Sequence, residues 1–461
     1  MDITAKLWSY CHILRHDGVD YVDYIEQLTY LLFLKMADEN GITVPQTCHW
    51  QTLLAKSGAE LKDHYEFVLQ RLKKEKGILG EIFQEPISKI KNPDSLKKII
   101  EGIESIGWTK LNKDVQGEAF EGLLEKTANE GKKGAGQFFT PRPLIQAIVD
   151  VMKPDPSEEK DFRIGDTACG TGGFLTVAID WAKNNLSTTN WNKLRNVSYY
   201  GQELVVRPYR LALMNLFLHG VQANLTLGDS IYNTEIKKEA INCILTNPPF
   251  GTRGVSGPPK KRNFAVETTN IQLNFIQHIY EVLRPNGRAA IVLPDGALVD
   301  AKAREVWQFL IEEGNCNIHT ILRLPKGTFA PYATGVKASV VFLQKGAITT
   351  QTWIYDARTD FPDVTKSTRP LTYEKHFEDF VKCYGNDPNG SSKRKRNSKF
   401  ESYSLDEIKK RNFDLSFSKL NQPKKLEEPA VYVENLIENF KQQLADLQKL
   451  KRIINSNKKS L

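Results

Sequence analysis

Cysteine is scarce in this chain and never clustered: Cys11, Cys48, Cys169, Cys243, Cys316 and Cys383 are the six in 461 residues. No C-x-x-C spacing occurs, so neither a zinc site nor a disulfide framework is indicated; no metal is expected, and a reducing compartment fits. Long apolar runs are missing too. No window approaches the ~18 uninterrupted apolar residues of a membrane span. The opening MDITAKLWSYCHILRHD has no basic segment leading into an apolar core and a cleavage site. The expectation is a cytoplasmic protein without membrane contact. No internal repeat is visible.

A dominant charge is also lacking, since 63 basic residues face 55 acidic ones for a formal net charge of +8. Local patches carry more information than that total. GTRGVSGPPKKR (251–262) holds four positive charges and no acid, and KRKRNSK (393–399) holds five. The second run reads either as a solvated loop beside GNDPNGSS or as a phosphate contact. Hydrophobic residues make up 40% of the chain, enough for sizeable cores, and the length allows up to about three domains at ~150 residues each.

Apolar positions recur at helical spacing in YIEQLTYLLFLKMADE and GEAFEGLLEKTANE, so residues 1–130 read as a helical N-terminal domain. From 131 to 380 the texture changes to short apolar runs alternating with helical stretches, which implies an α/β domain with a mainly parallel sheet covered on both faces. Two runs in NIHTILRLPKGTFAPYATGVKASVVFLQK have no helix between them and read as an antiparallel edge pair. Residues 381–425 read as a basic linker and C-terminal segment. In 426–461, Val433, Ile437, Phe440, Leu444, Leu447 and Ile454 follow 4,3 spacing with Lys451 at one expected apolar position. That pattern is a short coiled-coil-like helix, packed on its own domain or docked on another chain.

Chemistry concentrates where strands should end. FRIGDTACGTGGFLTVAIDWA places Asp166, Gly170, Gly172 and Gly173 between a strand and a helix, where glycines let backbone approach a ligand closely. The spacing departs from G-x-G-x-x-G, and alone the turn says little. Glu203 ends the next run, in YYGQEL, where a carboxylate can accept from both ribose hydroxyls; Asp229 ends the following one, in LTLGDS. Either acid alone is more often a cap or a surface charge. The ordered set points to the ligand-binding edge of one sheet.

The fourth run, NCILTNPPF, stops at Asn247-Pro248-Pro249-Phe250. The Asn247 side chain carries an acceptor oxygen, and Pro248 has no N–H but keeps a carbonyl at a restricted angle. Two acceptors can take both hydrogens of an exocyclic amino group and turn its lone pair toward an electrophile. Phe250 offers a flat face on which an extruded base can stack.

NPPF, with DTACGTGG upstream and GAGQFFTPRPL (134–144) before both, resembles the signature of S-adenosylmethionine-dependent DNA adenine-N6 methyltransferases, in the order of their gamma class. More narrowly, the chain resembles the modification subunit of type I restriction-modification systems. LPDGAL (293–298), RLPKGTFAPYATGVKASVVFL (323–343), RNFDLS (411–416) and the terminal helix extend the likeness over nearly all residues. The resemblance implies a Rossmann-like class I methyltransferase domain with a helical N-terminal domain and a helical tail.

The same resemblance assigns roles. Gln137, Phe138, Phe139, Thr140, Pro141 and Arg142 would lie over S-adenosylmethionine; Asp166, Gly170, Thr171, Gly172 and Gly173 would hold its methionine part; Glu203 would take the ribose and Asp229 would face the adenine amino group. Asn247 and Pro248 would accept from the target adenine N6, with Phe250 stacking on its ring. Thr167 stands where the family commonly has proline, which leaves that backbone less rigid. Cys169 is expected to pack, since adenine-N6 methylation needs no covalent enzyme adduct.

Implied partners are double-stranded DNA, a specificity subunit that chooses the target, with two modification subunits to one, and a restriction subunit. No helix-turn-helix or zinc-finger pattern stands out, in keeping with target choice lying elsewhere. Two other readings stand beside this one: methylation of a different planar amino or amide group, in RNA or protein, and a non-catalytic assembly partner.

Overall fold

The computed structural model describes residues 2–39, 42–108, 111, 113–130, 139–251, 258–259, 262–329, 335–358, 363–365 and 369–417. The coiled-coil-like segment, most of the basic stretch 251–262, and Gln137 and Phe138 lie outside them. Met1–Asp414 forms one compact unit and Leu415–Leu461 a second.

The first part of the larger unit is helical, as the periodicity requires. Asp2 caps Ile3–His16 by accepting from the Ala5 N–H at 2.9 Å. Asn92 with Pro93 starts Pro93–Glu104, whose Leu96, Ile99, Ile100 and Ile103 are buried at 3,4 spacing. Those helices share a core with Tyr21–Glu39, Gly58–Leu72 and Lys113–Glu130. Among the described residues, no helix is long and apolar enough to cross a membrane.

One nine-stranded sheet follows, with strands β1 (Ile164–Asp166), β2 (Tyr199–Glu203), β3 (Asn224–Leu227), β4 (Ile241–Thr246), β5 (Leu283–Pro294), β6 (Cys316–Arg323), β7 (Ala338–Lys345), β8 (Gln351–Asp356) and β9 (Phe400–Ser404). Their spatial order is β3-β2-β1-β4-β5-β7-β6-β8-β9. From β3 to β5 every pairing is parallel. β4 is buried at all six positions, as expected of a strand covered on both faces. β6 and β7 do pair antiparallel, but they are not an edge: β7 inserts between β5 and β6, and β8 and β9 continue the sheet. A hairpin-like connection fixes the antiparallel sense of a pair and leaves its place in the sheet to non-local pairing.

The helix Val206–Leu218 fastens the two parts. Its Tyr209, Leu213, Met214 and Leu218 face the helical core, while Ala212 and Leu216 face the sheet's core. Arg210, 1% exposed, pairs with Glu26 and donates to the Ile82 carbonyl at 2.6 Å, with its guanidinium 4.9 Å from the Tyr30 ring. A buried arginine bonded through each of its three nitrogens, the third to the Gln84 carbonyl, locks this register, because removing a partner would strand a charge out of water.

Candidate active site

β1, β2, β3 and β4 run parallel, so their carboxyl ends share one edge, and the sequence places Asp166, Glu203, Asp229 and Asn247 there. Hydrogen bonds join these ends into one assembly. The Gly170 N–H donates to Glu203 Oε2 at 3.0 Å, and the Val205 N–H to Oε1 at 2.9 Å. Gly228 donates its N–H to the Glu203 carbonyl at 2.8 Å, and the Ser230 hydroxyl donates to the Thr167 carbonyl at 2.6 Å.

Gly170 and Gly172 sit at φ +54° and +82°, a conformation costly for other residues, and a Cβ on Gly170 would meet nothing within 4 Å. The loop thus leaves open space above bare backbone. Gly201, beside it on β2, has its Cβ direction filled by Leu225 and by Cys169, which is the packing role expected of that cysteine. Burial pushes the Cys169 thiol well up, so it remains protonated.

Asp166 is 1% exposed. Burial pushes its carboxyl up to about 7, against hydrogen bonds from the Thr246 hydroxyl and the Ala168 N–H, with the Glu203 charge adding to the rise. Thr246 donates to Asp166 Oδ1 at 2.6 Å, and the Thr167 hydroxyl lies 3.4 Å from that of Thr246. Burial raises Glu203 as well, opposed by the backbone donors of Val205, Gly170 and Leu204. Asp229 directs Oδ1 to the Ile231 and Tyr232 N–H groups at 2.8 and 2.9 Å, the geometry of a local cap, and is half-buried.

Asn247 leaves β4 and donates Nδ2 to the Thr140 hydroxyl at 2.9 Å. That bond fixes the amide's orientation and turns Oδ1 elsewhere, where it is buried without a hydrogen-bond partner among the described residues. A lone acceptor of this kind costs about 1–3 kcal/mol and persists where something else is meant to fill it. Pro248 is buried beside it, and Phe250 meets Phe329 edge to face, 5.1 Å between centroids. Gln272, buried at the start of Ile271–Val282, donates to the Pro249 carbonyl at 2.8 Å and to that of Gly251, holding the turn from outside.

Phe139, Thr140, Arg142, Thr171 and Gly173 line a cavity of about 300 Å³ between the glycine loop and the helix Lys113–Glu130. Pro141 precedes the helix Arg142–Met152. Arg142 does not stand free over that space: it pairs with Glu121 and, at 3.1 Å, with Asp180. Glu203, Asp229 and Asn247 do not line this cavity: Asn247 reaches it through Thr140, while Glu203 bonds the glycine loop at Gly170 and the chain beside Asp229 at Gly228.

Sequence reasoning passed over Thr246, Gln272 and Asn215. Thr246 and Asn215 left a signal, each a polar residue inside an apolar run (NCILT and LALMNLFL). Gln272 left none, because its partners lie in another loop.

A family model described as N-6 DNA Methylase matches residues 111–429, and one described as HsdM N-terminal domain matches 3–43. The chain is 38% identical to the type I restriction enzyme StySJI methylase subunit of Salmonella typhimurium, over 85% of this chain and 78% of that one. It is 37% identical, with the same coverage, to the EcoKI methylase subunit of Escherichia coli K12. A chain solved in a study of complex assembly and conformational transition of the type I R-M system superposes with a TM-score of 0.76 at 26% identity, covering 98% of both. Sheet, helical N-terminal region and glycine loop are those of a class I methyltransferase fold. The chain belongs to the N-6 DNA methylase family, among the methylase subunits of type I restriction enzymes.

Proposed function

We propose that the chain transfers a methyl group from S-adenosylmethionine to adenine N6 in double-stranded DNA, working with a specificity subunit that selects the target. The observation that carries this reading is Asn247 Oδ1, buried, oriented by Thr140 and without a partner among the described residues, beside Pro248 and Phe250 in the chain. An adenine amino group has two hydrogens for two acceptors. Accepting both draws the nitrogen toward tetrahedral geometry, exposes its lone pair and stabilises the positive charge that grows there on methylation.

The residues fit the cofactor. Open backbone at Gly170, a half-buried carboxylate at Glu203 and the space lined by Phe139, Thr140 and Thr171 suit an adenosine joined to an amino-acid tail. When bound, S-adenosylmethionine supplies a methyl group carried on a positively charged sulfur. Glu203 orients the ribose, and Asp229 has one carboxylate oxygen committed to its cap and the other for the adenine amino group. Asp166 holds the loop at the β1 end and ties it, through Thr246, to the strand that presents Asn247. Phe250 stacks on the flipped base, and the proton lost from N6 leaves by way of solvent.

Residues 131–380 serve as the catalytic domain in this reading, and the coiled-coil-like segment after 426 as a contact for the specificity subunit, with two modification subunits per complex and a restriction subunit joining them. The test is tritium transfer from labelled cofactor to duplex DNA by the chain with its specificity subunit, the product identified by mass spectrometry. N6-methyladenine is expected. Label on cytosine, RNA or protein would overturn the reading.

A further inference from the structure

The helix Val206–Leu218 ends in the apolar run LALMNLFL, and Asn215 is 1% exposed in those surroundings. A primary amide so placed needs partners for both ends, because a buried polar atom left alone forfeits its hydration. One end has a partner: Nδ2 donates to the Thr171 carbonyl in the glycine loop at 3.2 Å. That contact sets the amide's orientation. The other end, Oδ1, is buried and has no hydrogen-bond partner among the described residues. Asn215 lines the cavity of about 300 Å³ beside the glycine loop.

Across that cavity stands Lys113–Glu130, held close because Gly117 packs where a Cβ would fall 2.6 Å from the His219 ring. Glu118, Glu121 and Glu125, spaced three and four apart, share one face of this helix and line the same cavity. Arg142 answers Glu121 and Asp180, which leaves the lining with more negative than positive charge. Burial keeps His219 below the usual imidazole range, so it adds no cation at neutral pH, although Asp180 pulls the other way. The cavity therefore favours a positively charged group, and among the described residues its one open buried side-chain acceptor is Asn215 Oδ1.

We infer that Asn215 binds the cofactor: Oδ1 accepts a hydrogen bond from the ammonium group of the amino-acid tail, in a cavity whose far wall is the acidic face of Lys113–Glu130. The inference rests on the cofactor assignment proposed above and adds to it a residue from the helix after β2 and a wall from the helical N-terminal part. An acid cluster alone would not single out a ligand. The unpartnered, oriented acceptor does, because it demands a donor at one place.

Two ligands separate this contact from a structural role: S-adenosylhomocysteine, which carries the tail, and 5′-methylthioadenosine, which keeps the adenosine and sulfur but lacks it. Calorimetry on the full chain should show Asn215→Leu weakening the tailed ligand about tenfold or more, the range for a hydrogen bond to a charged group. Methylthioadenosine should bind within about twofold of wild type, which also reports that the site has folded. Asn215→Ala makes the same comparison without leucine's bulk. Equal weakening of both ligands, or no change in either, in both variants would overturn the inference. If the wild-type chain binds neither ligand, the cofactor assignment itself fails, a distinct outcome.

Discussion

Two aspartates end strands on the same edge of this sheet and behave in opposite ways. Asp166, at the end of β1, has hydroxyl and amide donors but no cation beside it among the described residues, and burial pushes its carboxyl up to about 7. Asp356, at the end of β8, is also resisted by burial, yet the paired guanidinium of Arg358 and the nearby Arg323 hold it below the usual carboxylate range. Arg358 reaches both Asp356 oxygens at 2.9 and 3.0 Å and lies 3.5 Å from Asp295, which the Ser339 hydroxyl also contacts at 2.9 Å. The β8 end closes on itself. The β1 to β4 ends leave Asn247 Oδ1 open and Asp166 short of a counter-charge. Where polar groups satisfy one another they hold the fold, and where they are left wanting they are available to a ligand.

The comparison breaks most sharply at Asn247. Asn247→Ala should lower methyl transfer about 10²–10³-fold or more, the scale for one pre-organised polar group. Arg358→Ala should leave transfer by the folded protein within a few-fold and instead lower stability by about 1–3 kcal/mol, from carboxylates left with fewer donors; denaturant unfolding measures that. Comparable losses of transfer in the two variants would end the distinction between the halves.

Next in size is Glu203→Ala, expected to weaken S-adenosylmethionine binding by about 1.5–3 kcal/mol in calorimetry. Unchanged affinity in a folded variant would remove Glu203 from the site. Phe250→Ala should weaken capture of the flipped base by about 1–3 kcal/mol, with Phe250→Trp tolerated better, read from DNA binding and from fluorescence of a 2-aminopurine target. The opposite order of damage would argue against stacking.

The smallest expected effect is also the most direct on the two aspartates. Asp166 is harder to ionise folded than unfolded, so its contribution to stability falls as pH rises from 3.8 toward about 7, then levels off. Asp166→Asn escapes that loss, and its melting temperature should gain on the wild type across this window. Asp356 has the reverse sign: its contribution is present above the unfolded pKa and fades as pH falls through the depressed folded value. Asp356→Asn should therefore melt below the wild type at pH 7, with the gap closing in acid. Parallel pH curves for both variants would contradict the assigned environments.

Much of the parallel half was legible, because each apolar run ends in a residue whose chemistry announces itself. Glycine loop, Glu203, Asp229 and Asn247 all come to one edge as their order implied. The antiparallel half was less legible, since QTWIYD and FESYS carry no turn or ligand signal that places the first beside β6 and the second beside β8. Thr246, Asn215 and Gln272 were missed because their partners are 80, 44 and 23 positions away. Charge counting also says little about role: in 393–399, Arg394 donates to the Tyr384 carbonyl and the Thr320 hydroxyl at 2.9 and 2.7 Å, and Arg396 binds Ser402. Two of the five cations there are tied into the structure by hydrogen bonds, Arg394 half-buried and Arg396 exposed.

The central claim is that Asn247 acts on the amino group to be methylated and not on the cofactor. It is tested most directly by measuring both events on one preparation of Asn247→Ala with the specificity subunit: calorimetric affinity for S-adenosylmethionine, and single-turnover transfer to duplex DNA. Wild-type affinity is expected, with transfer reduced about 10²–10³-fold or more. Full transfer, or a loss explained by weaker cofactor binding, would contradict it.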